Sequence, residues 1–83
     1  MVTVTIYSKK ECHLCDIAKE ELEALRCEFE FSINEVDIEK DKLAFEKYKY
    51  LIPVVEVDGK TISTYKVDTK KMKNLLSRKS QPL

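Results

Sequence analysis

With 83 residues, the chain can hold one domain with one modest core, and no second. Hydrophobic residues make up 43% and fall in periodic segments, which argues against disorder; fifteen Lys and Arg balance fifteen Asp and Glu, which removes the basic footprint of a nucleic-acid binder. No apolar run approaches the roughly 18 residues of a membrane span, and the N-terminus lacks a signal-peptide pattern, so a soluble cytoplasmic protein without a membrane partner is expected.

Val2-Thr3-Val4-Thr5-Ile6-Tyr7 is a run of β-branched and aromatic residues that reads as a central strand. From Leu14 the period changes to that of a helix. Leu14, Ile17, Ala18, Leu22 and Leu25 form one stripe, and the helix is expected from about His13 to about Arg26. A second strand is expected within Phe31–Val36. Strand, helix and strand in this span make a βαβ unit with a parallel pair and a right-handed crossover. A helix from about Asp41 to Tyr50 follows, with Asp41 as its N-cap and Leu43, Phe45 and Tyr48 as candidate buried positions. Leu51-Ile52-Pro53-Val54-Val55-Glu56-Val57 reads as a strand opened by a proline. Asp58-Gly59 is the strongest hairpin signal in the chain, and Lys60 to Tyr65 is the returning strand. Asp68 then caps a last helix with Met72, Leu75 and Leu76 inward, and residues 77–83 are expected to fray. There are no repeats or internal linkers, so residues 1–83 read as a single domain.

Chemistry concentrates in Lys9-Lys10-Glu11-Cys12-His13-Leu14-Cys15. Three cysteines are too few for a disulfide scaffold, and in a reducing compartment a close pair is more often catalytic or metal-binding than structural. Here the pair lies between a strand and a helix. Backbone N–H groups point outward at a helix N-terminus and the macrodipole is positive there, so a thiolate is stabilised. Cys12, at the outer edge of the turn, is expected to attack a disulfide, and Cys15, one turn inside and buried, to resolve the mixed disulfide. A Cys12 pKa below that of free cysteine is expected. Two pKa units require about 2.7 kcal/mol. A helix terminus supplies about 0.3–1 kcal/mol, so N–H bonds or a cation, Lys9 first, must add the rest. Glu11 works against this. His13 strengthens the effect when protonated and does little when neutral. Cys27 is expected to pack as a small apolar residue, and Tyr7, Tyr48, Tyr50 and Tyr65 to pack with hydrated hydroxyls.

The element order, the run Tyr7-Ser8-x-x-x-Cys12-x-x-Cys15, and Ile52-Pro53-Val54 ahead of a hairpin together resemble the glutaredoxins of the thioredoxin superfamily. The resemblance covers nearly the whole chain. It implies an α/β thioredoxin-like fold, β-α-β-α-β-β-α, with a four-stranded mixed sheet flanked by three helices. It also implies a thiol–disulfide oxidoreductase that reduces protein disulfides or glutathione mixed disulfides, acts as a monomer and holds no resident cofactor or metal. By the same resemblance Pro53 is cis and faces the dithiol, and Ile52 pairs with an extended substrate. Leu14 is then a docking or core residue, Lys9 meets a glutathione carboxylate, and Asp68 helps hold the γ-glutamyl end.

Two departures stand out. Cys12-His13-Leu14-Cys15 replaces the usual proline-tyrosine pair between the cysteines, and Ser63-Thr64 stand where such proteins carry Gly-Gly. Side chains there obstruct close backbone approach. The electron donor is therefore either glutathione or a thioredoxin-reductase-type flavoenzyme. The competing reading is a metal module, Cu(I) or iron–sulfur, using Cys12, Cys15 and His13 or Cys27.

Overall fold

A computed structural model describes residues 2–79. The order is β1 (Val2–Ser8), α1 (His13–Leu25), β2 (Phe31–Asp37), a 3-10 turn (Ile38–Lys40), α2 (Lys42–Tyr48), β3 (Val54–Val57), β4 (Lys60–Thr64) and α3 (Thr69–Lys79). The strands form one sheet in the order β2-β1-β3-β4. β1 is central, parallel to β2 with Val2 opposite Phe31, and antiparallel to β3 with Tyr7 opposite Val54. β3 and β4 are antiparallel, with an irregularity at Val55/Glu56.

Alternation along β1 decides the layers. Val2, Val4 and Ile6 point into a core shared with Ala18, Leu22 and Leu25 of α1 and with Met72 and Leu76 of α3. Tyr7 lies on the opposite face, where Ile38, Ala44, Tyr48 and Val54 form a smaller cluster under α2. The sheet is thus covered on both sides, which is why all four residues of β3 are buried. Lys19 of α1 pairs with Glu35 of β2 at 2.7 Å, and Thr69 of α3 donates to Glu21 of α1 at 3.3 Å. These partly exposed contacts add little beside the apolar core, typically about 0–1 kcal/mol for an exposed ion pair.

Two expected stripes are corrected. Cys15, Ala18, Leu22 and Leu25 form the buried row of α1, while Leu14 and Ile17 are exposed, Leu14 at 52%. The row with the small side chains of Cys15 and Ala18 lets the helix approach the sheet, and Leu14 falls to the rim. On α2, Leu43 is 84% exposed and Phe45 is at the surface, whereas Ala44 and Tyr48 are buried. Residues 44 and 48 are four apart and form the inward row; Phe45, three before Tyr48, falls at its rim at 37% exposure, and Leu43 points away from it. Asp41 caps α2 by accepting from the Ala44 N–H at 3.1 Å, and α2 ends at Tyr48, before Tyr50. β3 begins at Val54, three residues later than the apolar run suggests. β2 extends to Asp37, and Ser77, Arg78 and Lys79 continue α3 where fraying is expected; residues 80–83 lie outside the described residues.

The hairpin turn has Asp58 at φ 50° and Gly59 at φ 86°, the two left-handed positions of a type I′ turn. The Thr3 N–H donates to the Asp58 carboxylate at 3.1 Å, and this bond, ahead of nearby Lys79, holds the Asp58 carboxyl below its ordinary range. A Cβ built at Gly59 meets nothing within 4 Å, so its requirement is purely conformational. Gly59→Ala is expected to lower unfolding free energy by about 1–2 kcal/mol, and Gly59→Asn by less, because asparagine tolerates the left-handed region. Urea melts of the two variants check this; equal losses would contradict it.

Candidate active site

β1 ends at Ser8, and Lys9, Lys10 and Glu11 turn the chain into α1. All three are exposed, and Glu11 sits at φ 54°. Cys12 is extended (φ −119°, ψ 106°) and is the N-cap of α1. Its carbonyl accepts the Asp16 N–H at 3.0 Å, the first bond of the helix. Its Sγ accepts the Cys15 N–H at 3.2 Å, so a sulfur stands where an N-cap oxygen is usual. Cys12 is half-buried and Cys15 fully buried, with 0% exposure. The two are joined as a disulfide across a Cα–Cα distance of 5.2 Å.

The capping bond makes the order of the chemistry physical. With Cys12 reduced and ionised, the Cys15 N–H donates to a charged acceptor, worth about 1.5–3 kcal/mol. That exceeds the roughly 0.3–1 kcal/mol of the helix terminus. Together they bracket the roughly 2.7 kcal/mol named above, and Lys9 and Lys10 stand exposed in the turn before Cys12.

The sheet brings a second segment to the same end. Because Tyr7 pairs with Val54, residues 52 and 53 lie beside the exit of β1. The Ile52–Pro53 peptide is cis; Pro53 is buried and Ile52 half-buried, outside both strand ladders. The Tyr65 N–H donates to the Leu51 carbonyl at 3.1 Å, which ties the end of β4 to the same segment. Asp68 caps α3, accepting from the Lys71 N–H at 3.0 Å. His13 and Leu14 are exposed on the first turn of α1. The topology therefore brings Lys9, Cys12, His13, Leu14 and Cys15 to the same end of the sheet as Ile52 and Pro53, whereas Asp68 is engaged in capping α3, whose Thr69 lies against Glu21 farther along α1. Cys27 is not among them. It is exposed in the turn after α1, so it neither packs as a core residue nor joins Cys12 across a 13-residue helix about 20 Å long.

Glu56 is the residue that sequence reasoning missed. It is 8% exposed, on the α2 face of β3. Tyr7 donates its hydroxyl to Oε1 at 3.0 Å, Tyr48 donates to Oε2 at 2.7 Å, and Thr61 donates to Oε2 at 3.5 Å. The two tyrosine rings lie 4.6 Å apart. Their hydroxyls are thus spoken for inside the protein, where hydration is expected from the sequence. The available signal was an acidic residue within an otherwise all-valine strand.

Among the described residues no helix is long and apolar enough to cross a membrane, and no group of three or more His, Cys, Asp or Glu is arranged to hold a metal ion. The fold is that of the thioredoxins: the structure of Plasmodium falciparum thioredoxin matches with a TM-score of 0.68 at 10% identity, over 99% of this chain and 74% of that one. Within that class, the Glutaredoxin-like domain (DUF836) matches residues 3–77, and the chain belongs to that family. It is similar to the Glutaredoxin-like protein YDR286C homolog of Dictyostelium discoideum, with 32% identity over 77 residues, 86% of this chain and 71% of that protein. Protein Ne2328 from Nitrosomonas europaea has a TM-score of 0.81 at 21% identity, covering 90% of this chain and 91% of that one. Protein XcR50 from X. campestris has a TM-score of 0.72 at 26% identity, covering 90% and 96%.

Burial, then the bond to Glu56 and the charge of that carboxylate, push the Tyr7 phenol up to about 12. The protonated phenol is the form that donates. Its contribution to stability is therefore complete below the free phenol's value of about 10 and is lost as pH rises through about 12. An alkaline titration of phenolate absorbance is expected to show a step near 12 that Tyr7→Phe removes, with a shallower loss of stability over that window. All tyrosines titrating together near 10 would contradict it.

Proposed function

We propose that the protein is a dithiol–disulfide oxidoreductase, carried by one observation: Cys12 half-exposed as the cap of α1, with Cys15 sealed one turn behind it. The Cys12 thiolate attacks one sulfur of a substrate disulfide and releases the other as a thiolate. Cys15 gives up its proton and attacks Cys12 Sγ, which forms the Cys12–Cys15 disulfide and frees the substrate as a dithiol. Two electrons pass to the substrate, and an external donor returns them. Protein disulfides are the substrates this reading favours. An extended segment would pair with the backbone at Ile52, beside Pro53, which has no N–H to offer; Leu14 at the rim would meet its apolar side chains. The reducing cytoplasm is the compartment that suits such a dithiol, and a monomer suffices for it.

For the donor, the end of β4 supports a protein dithiol of the thioredoxin-reductase type over glutathione. Ser63 and Thr64 carry side chains where a peptide ligand would need bare backbone, and Tyr65, the next residue, is held at φ 69°. Its N–H is occupied by Leu51, and an Asp68 oxygen by the cap of α3. Lys9 is free to meet a carboxylate from either kind of partner.

The test is an NADPH-coupled disulfide reduction run in parallel with glutathione and glutathione reductase and with thioredoxin reductase. Turnover is expected with the flavoenzyme. Cys12→Ser is expected to reduce it to background, and Cys15→Ser to stop after the first step, with the substrate attached to Cys12 and visible as added mass. Absence of turnover in both systems would overturn the proposal.

A further inference from the structure

Glu56 costs stability to bury. A carboxylate is taken out of water at a cost that its hydrogen bonds must offset, and a strand that only fills a core has no need of one. The surrounding strand is valine on either side. What the carboxylate adds is direction. Oε1 is held from β1 through Tyr7, and Oε2 from α2 through Tyr48 and from β4 through Thr61. Four elements meet on one side chain.

Two of those elements lead directly to the two walls of the site. Tyr7 stands five residues before Cys12, and Tyr48 five residues before Pro53. β1 is held from both sides by ladders with β2 and β3. α2 is only seven residues long and joins no ladder. Beyond it the chain reaches Pro53 through a bond from the Leu51 N–H to the Tyr48 carbonyl at 2.8 Å, so the place of Tyr48 sets the start of that segment. We propose that Glu56 is a positioning residue: a carboxylate latch between Tyr7 and Tyr48 that fixes the Ile52–Pro53 edge against the strand that leads into the dithiol. It rests on the exchange activity proposed above and adds to it the residue that sets how a peptide substrate is presented to Cys12.

The Tyr7 arm of the latch stays closed while the dithiol works. The Tyr7 phenol keeps its proton to about 12, well above the pH at which thiols ionise. It also acts on only one class of substrate. A small aromatic disulfide needs an exposed Cys12 sulfur and nothing from residue 52, whereas a peptide disulfide needs the edge as well.

The experiment compares KM and kcat for a disulfide-bonded peptide and for a small aromatic disulfide. Glu56→Leu has similar reach and no acceptor. It is expected to raise KM for the peptide about tenfold, with kcat and the small-disulfide rate unchanged. Tyr48→Phe removes one hydroxyl and leaves the ring packing in place; it is expected to shift KM in the same direction by less. Glu56→Gln keeps an oxygen for one phenol and an amide donor for the other, and is expected to restore most of the affinity. Equal losses on both substrates, or an unchanged peptide KM in Glu56→Leu and Tyr48→Phe, overturn the latch. A wild-type protein that reduces neither substrate overturns the exchange reading together with it.

Discussion

A helix N-terminus leaves backbone N–H groups without partners, and here one of them is satisfied by a cysteine sulfur. A neutral thiol is a weak acceptor and a thiolate a strong one, so the same bond that finishes the helix also favours ionisation of Cys12. The rest of the chain depends on that contact being held in place. α1 is fixed by the buried row running from Cys15 to Leu25 along its inner face. The extended conformation of Cys12 turns its sulfur back onto the first turn while leaving it half in solvent.

The second constraint is the antiparallel pairing of β1 with β3. A parallel partner would place the start of β3 at the opposite end of the sheet from Cys12. The antiparallel register, Tyr7 against Val54, brings Pro53 to the exit of β1. The hairpin at Asp58-Gly59 then returns β4 so that Thr64 lies against Val54 and Tyr65 binds Leu51. One end of a small sheet thus collects the dithiol and the prolyl edge. Glu56 joins Tyr7 and Tyr48, the residues that precede these two segments, on the face away from the main core.

Local signals were readable wherever a residue acts on its own backbone. The Asp58-Gly59 turn, the caps at Asp41 and Asp68, and the switch of period after Cys12 each follow from side-chain chemistry within four residues, and each stands in the structure. The errors arose where an apolar residue had two plausible faces. Leu14 and Ile17 fit a helical stripe as well as Cys15 does, and hydrophobicity alone ranks them above cysteine. The packing chose the row with the smaller side chains. On α2 the expected Tyr48 is buried, but its partner in the inward row is Ala44, four residues before it, while Leu43 points outward and Phe45 stays at the rim. Cys27 follows the C-terminal turn of α1 into solvent.

The sequence by itself determined the order of the elements, the placement of Cys12 and Cys15 at a strand-to-helix turn, and the resemblance that the family match bears out. These are properties of neighbouring residues, and short-range physics writes them into the chain. Only the tertiary structure decided which rows of α1 and α2 face inward, and that a glutamate on β3 takes hydroxyls from three other elements. Tyr7, Tyr48 and Glu56 become neighbours only once β1, α2 and β3 have packed, because a hydrogen bond between distant residues is set by register and layer rather than by anything either residue carries alone.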